Sequence, residues 1–438
     1  MMRRLACAAL AAGALLAVTP ASAMKIERVV SPAGIEAWLV REQTVPLVSL
    51  SFVFHGGSSQ DEVDKSGAAN LAASALDEGA GDLDGKAFHE RLEGSAIELG
   101  FRVSRDHFYG TLRTLNENRD QAFDLLHLAL TAPRFDAEAV ERMRGQQLSS
   151  LRRAATSPND IANRSWWAAA FPGHPYGLEG GGTLETVPRI TAADMHDYVA
   201  RVFARNELTI SIVGDIDAAT AGKLIDRAFA SLPAKNNLKQ VPQATAAGLG
   251  RRIVIPIDVP QTVVLFGGPG LERSDPDFMA GYLVNHILGG GAFTSRLYTE
   301  VREKRGLAYG VSDSLVWFKS SAVVLGGTAT RADRTGEALA IIQRETKRMG
   351  ETGPTAEELA AAKAYVTNSY PLGLDTSGKI AAQLTQIQLD KLGIDYIDRR
   401  GALIDAVTIE DARRAAKRLY SGGMLVTVAG KPAGVSSE

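Results

Sequence analysis

Cysteine is almost missing from this 438-residue chain, and the single one is Cys7. Beyond residue 23 this excludes a disulfide framework, a thiolate metal site and a cysteine nucleophile. Charge of one sign is missing too. The formal net charge is −2, with no block of like charge, which gives no footing for nucleic acid or an anionic membrane as main partner. After residue 23 no long apolar run remains, so no membrane insertion is expected there. Gly289-Gly290-Gly291 has no Lys-Ser/Thr at the spacing of a phosphate loop, and no Gly-x-Ser-x-Gly elbow occurs. Nucleotide binding and serine hydrolysis lose their support.

The chain opens with Arg3 and Arg4, an apolar run from Leu5 to Val18, and Ala21-Ser22-Ala23 before Met24. That is the layout of a secretory signal peptide over residues 1–23, and it predicts export to a periplasm. In the remainder, 45% hydrophobic content overall supplies a large core, so stability rests on packing. Residues 233–250 (PAKNNLKQVPQATAAGLG) are poor in large apolar side chains and carry Pro233 and Pro242. They read as a connector, with the linker placed at 236–250 between an N-terminal domain (24–235) and a C-terminal domain (251–438).

The two halves look alike. Residues 190–214 and 407–430 each have a Thr followed three positions on by an acidic residue, then a helical segment, a polar break and an alternating strand ending in Gly. The strand around Leu47–Gly56 likewise matches Thr262–Gly267. Two matches in one order point to duplication. Apolar residues at helical spacing mark 122–130 and 359–366. The fold class is therefore α+β: two homologous domains, each a mixed sheet flanked by helices.

Residues 289–314, GGGAFTSRLYTEVREKRGLAYGVSDS, carry the densest signal. Ser295–Arg305 has helical composition, Gly306 is placed to end the helix, and a strand follows from Leu307. Arg302 near the helix end and Tyr309 early on the strand can converge, and both are hydrogen-bond donors suited to a developing oxyanion. From spacing alone a bland reading stays open: Tyr309 shares a strand face with Val311 and could be core, and Arg302 could be a solvated helix residue. The segment resembles the C-terminal signature of the pitrilysin-type (insulinase, inverzincin) zinc peptidases. The resemblance implies that Arg302 and Tyr309, in the R-E-x-x-G-L-x-Y context, hold substrate and stabilise the tetrahedral intermediate.

In that family the first domain carries H-x-x-E-H on a helix after a strand and a G-S-x-x-E turn, with a further Glu as third ligand. Here the approach is present from Phe52 to Glu62, but Asn70, Ala73 and Ser74 stand where His, Glu and His belong. Ser149 or Ser150 takes the place of the third ligand. No metal ligand and no cofactor is therefore assigned to this chain. None of the seven histidines (His55, His89, His107, His127, His174, His196, His286) forms a metal-binding pair in the sequence. His55 reads as a strand-end residue. His174 belongs to a Gly-His-Pro-Tyr-Gly loop that the resemblance makes structural, and Trp166 and Trp167 read as core or interface aromatics.

The resemblance implies the Arg/Tyr subunit of a clam-shell heterodimer. The partner, a homologous subunit, would bring zinc, its water and the general base, and an unfolded peptide would be the substrate. The chain alone is expected to be inactive. The alternative is a non-proteolytic homodimer of the same fold that binds peptides or serves as a scaffold.

Overall fold

The computed structural model describes residues 24–437, so the signal-peptide segment lies outside the described residues. The first half contains β1 (Ile26–Val30), β2 (Glu36–Arg41), β3 (Leu47–His55), β4 (Gly79–Ala80), β5 (Leu83–Asp84), β6 (Glu98–Val103), β7 (His107–Leu115) and β8 (Thr209–Gly214). Six of these form one sheet in the order β1-β2-β8-β3-β7-β6, and β4 pairs with β5 alone. The second half adds β9 (Arg252–Ile255), β10 (Gln261–Pro269), β11 (Ala308–Trp317), β12 (Ala322–Arg331) and β13 (Leu425–Ala429), in the order β11-β12-β10-β13-β9. Each of the two large sheets is mixed: β2–β8 and β13–β9 are parallel, and the other pairs are antiparallel. The α+β class with two helix-flanked mixed sheets is thus the observed one.

The halves repeat one order of elements. A central strand (β3 or β10) leads to a helix (Ala68–Ala75 or Phe278–Asn285), then a hairpin (β6–β7 or β11–β12). Three corresponding helices follow, namely Arg119–Thr131, Ala137–Thr156 and Pro158–Ala170, against Thr335–Thr352, Ala356–Asn368 and Ser377–Leu389, and the second half adds Tyr396–Asp405. A capped helix and a strand complete each repeat, and the first half adds the helix Ala218–Phe229 after it. Thr191 with Asp194, and Thr408 with Asp411, form reciprocal capping boxes on the helices Ala192–Val202 and Ile409–Tyr420. Residues 234–250 contain no helix or strand.

The third helix of each trio packs on the sheet of the other half. Ile380, Ala381, Leu384 and Ile387 cluster with Trp38, Val40 and Val213 of the first sheet. Gln388 Nε2 donates to Ser211 Oγ (2.8 Å) and Ile210 O (3.1 Å). In the opposite sense, Trp166 Nε1 donates to Leu425 O at 3.2 Å, and Thr427 Oγ1 donates to Ala162 O at 3.0 Å. This exchange explains why β3 (LVSLSFVFH) is buried along nearly its whole length. Val48, Leu50, Phe52 and Phe54 face the home core, while Ser51 O meets Thr385 of the visiting helix.

Candidate functional site

The degenerate metal position lies where the helix Ala68–Ala75 meets the helix Ala137–Thr156. Gly67 starts the first of these with φ +99°, a value that favours glycine. Asp61 caps it, accepting from Gly67 N (2.9 Å) and Ala69 N (3.0 Å). Burial lifts the Asp61 carboxyl to about 7 even though these two N–H groups favour its charged form.

Asn70 Nδ2 donates to Gly180 O at 2.5 Å, and Gln147 Nε2 donates to Gly181 O at 2.8 Å. Ser66 Oγ donates to Glu179 O at 2.9 Å. The helix pair therefore laces down the glycine loop 179–182. Ala73 is buried in the core, and Ser74 Oγ donates to Leu71 O at 2.9 Å within its own helix. Ser149 Oγ accepts from Arg153, and Ser150 is exposed. An amide tied to a loop carbonyl, a methyl group and hydroxyls that bond locally or face solvent do not fit a zinc ion, which takes imidazole, carboxylate or thiolate donors. Among the described residues no group of three or more His, Cys, Asp or Glu side chains is placed to hold a metal.

The Arg/Tyr motif folds differently from the single helix its composition suggests. Ser295 caps a short turn, Arg296–Tyr298, which widens into a π-turn over Thr299–Glu303. Lys304 N reaches back five residues to Thr299 O (3.0 Å), and Leu307 N bonds Val301 O (3.0 Å). Gly306, at φ +60°, ends the turn and feeds β11, the edge strand of its sheet.

Between Ala308 and Val311 the pairing with β12 slips by a bulge. That bulge separates two residues which alternation would put on one face: Val311 is buried, and Tyr309 is 86% exposed. Arg302 Nη1 donates to Tyr309 O at 2.7 Å, and its Cζ lies 4.4 Å from the Tyr309 ring centre. Arg302 Cζ also lies 5.1 Å from the ring centre of Tyr298, which meets exposed Phe293 edge-on. The two motif residues are thus in contact, and Arg302 lies within cation–π range of two tyrosine rings. Sequence reasoning missed Tyr298 and Phe293, although the i, i+4 spacing of Tyr298 and Arg302 was there to be read.

Other sequence-flagged residues are structural. His55 ends β3 opposite His107, with ring centres 4.9 Å apart. Burial pushes both imidazoles down, His107 to about 3. His174 Nδ1 accepts from Tyr176 N at 3.1 Å, which leaves Nε2 protonated to donate to Pro242 O at 3.0 Å. Tyr176 Oη donates to Asp106 Oδ1 (2.5 Å) and accepts from Ser320 N (3.1 Å), while Asp106 Oδ2 accepts from Lys319 N (2.8 Å). The Gly-His-Pro-Tyr-Gly loop is therefore a clasp between the halves.

The model for insulinase-type peptidases (family M16) matches residues 38–183, and that for the peptidase M16 inactive domain matches residues 189–366. The chain belongs to the M16 peptidase family. This M16 chain is 28% identical over 333 residues to the non-peptidase homolog YmxG of Helicobacter pylori, covering 76% of this chain and 77% of that protein. It is 25% identical over 378 residues to an uncharacterized zinc protease of Mycobacterium leprae, covering 84% of each. The crystal structure of a peptidase M16 inactive domain from Pseudomonas fluorescens superposes with a TM-score of 0.87 at 27% identity, over 95% of this chain and 99% of that one.

Proposed function

We propose that this M16 chain is the non-metal-binding subunit of a periplasmic, heterodimeric zinc peptidase and supplies Arg302 and Tyr309 in trans to a partner of the same fold. The observation that carries this reading is the Arg302 clamp. Arg302 is held against the backbone and ring of Tyr309, and the Tyr309 side chain is left open on an edge strand. A guanidinium and a phenol presented together donate hydrogen bonds to the oxygen that gains charge when a peptide carbonyl is attacked. Their preset geometry means little rearrangement as that charge develops. The hydrolytic centre belongs to the partner on this reading, because the positions Asn70, Ala73 and Ser74 have no chemistry to build one. An unfolded peptide bound as an added strand is the substrate. The export signal pattern in residues 1–23 supports the periplasmic location.

The test pairs the purified chain with a metal-bearing M16 subunit from the same cell. The mixture should cleave unfolded peptides and this chain alone should not. Arg302→Ala should lower kcat of the mixture by about 10²–10³, the usual loss of one oxyanion donor. Equal turnover by mutant and wild-type mixtures removes Arg302 from the mechanism. The name of the H. pylori relative, a non-peptidase homolog, favours a second reading: a homodimer that binds peptides or acts as a scaffold without cutting them. Peptide binding by the isolated chain, with no gain in hydrolysis on adding any partner, selects that one.

A further inference from the structure

The internal repeat gives the degenerate metal position a counterpart in the second half. There the helix Phe278–Asn285 runs into a π-turn, His286–Gly290, that faces the helices Thr335–Thr352 and Ala356–Asn368. In the first half the matching space is crossed by the glycine loop that Asn70 and Gln147 hold down. In the second half it is an open cavity of about 510 Å³, within the range of small-molecule sites.

Its lining is charged with both signs. Arg296 is only 9% exposed, and Nε and Nη2 form a paired contact with Glu358 at 2.6 Å each. Its Nη1 is buried with no hydrogen-bond partner. Glu345 is 2% exposed; its Oε1 accepts from Arg344 Nε at 3.4 Å, and its Oε2 is ion-paired with Arg348 Nη1 at 3.2 Å but has no hydrogen-bond partner. Burying a guanidinium nitrogen and a carboxylate oxygen with no hydrogen bond is costly, so an occupant that supplies those hydrogen bonds is favoured. Beside them the His286 and Tyr365 rings stack at 5.1 Å and 29°, and Tyr365 is 56% exposed, leaving aromatic surface open.

We infer that this cavity is a binding site for a small zwitterion of the aromatic α-amino-acid class. The carboxylate pairs with Arg296, the ammonium pairs with Glu345, and the side-chain ring extends the His286–Tyr365 stack. Glu345 and Glu358 beside the arginine disfavour a phosphate or other dianion, and the two arginines disfavour a simple cation. The site is independent of the Arg302/Tyr309 reading and needs no partner chain.

Calorimetric titration of the full mature chain tests it, with L-phenylalanine, L-phenylalaninamide and N-acetyl-L-phenylalanine as probes. L-phenylalanine should bind saturably, and each blocked probe should bind at least about tenfold more weakly, the loss of one charge-assisted hydrogen bond. Tyr365→Ala, a change at the exposed rim, should weaken L-phenylalanine binding while the free protein keeps its melting temperature. Glu345→Gln should remove the preference for the free amine over the acetylated form. Absence of L-phenylalanine binding to the folded wild-type chain overturns the assignment. So do equal affinities for all three probes, or a Tyr365→Ala protein that folds and binds like wild type.

Discussion

Asp313 lies fully buried on β11, inward-facing between Val311 and Leu315 where alternation calls for an apolar residue. Tyr420 Oη donates to its Oδ2 at 3.0 Å, and Asn285 Nδ2 donates in turn to Tyr420 Oη at 3.3 Å. Burial lifts the Asp313 carboxyl to about 7, against the pull of these hydrogen bonds. The folded state then keeps a proton that the unfolded chain releases at the ordinary carboxylate value near pH 4. This contribution to stability is full below that pH, falls as pH rises towards 7, and is flat beyond. Asp313→Asn cannot ionise. Its stability relative to wild type should therefore rise by roughly 2–3 kcal/mol between pH 5 and pH 8, read from urea unfolding. A difference that stays constant across that range contradicts a neutral Asp313.

The two central strands use one device twice. Phe52 of β3 pairs with Gly110 of β7, and Phe266 of β10 pairs with Gly326 of β12. A Cβ on Gly110 would overlap the Phe52 ring, and one on Gly326 would overlap the Phe266 ring. Gly110→Ala and Gly326→Ala should each destabilise by about 1–3 kcal/mol, measured as a lower denaturant midpoint at unchanged slope. Neutral substitution at either site would mean the rings are free to move aside. Much at this level was legible in the sequence. The strand leading to Gly56, its match at 262–267, the capped helices after Thr191 and Thr408, and the convergence of Arg302 with Tyr309 all follow from local pattern. The rest was not, because it depends on distant partners. The π-turn under Arg302 packs on the helix Thr335–Thr352, and the bulge that turns Tyr309 outward arises in the pairing of β11 with β12. Ser51 looks like an ordinary polar strand residue until Thr385 of the helix Ser377–Leu389 arrives from 334 residues away.

At the scale of the molecule, each half completes the other. Trp166 and Ala162 cover β10 and β13, and Leu384 and Ile387 cover the first sheet. The clasp through Tyr176, Asp106 and Ser320 adds a polar tie. Calorimetry of the whole chain should therefore show one cooperative transition, and residues 251–438 expressed alone should fail to give a native-like melt because the face under Trp166 is bare. Two separate transitions, or a stable isolated half, would show that the exchanged helices contribute little. Because each sheet is roofed by its neighbour's helix, the two halves of this polypeptide cannot part without baring both sheets. In any two-chain chamber the gape needed to admit a peptide would have to open between chains, so admission would be governed by the strength of subunit association.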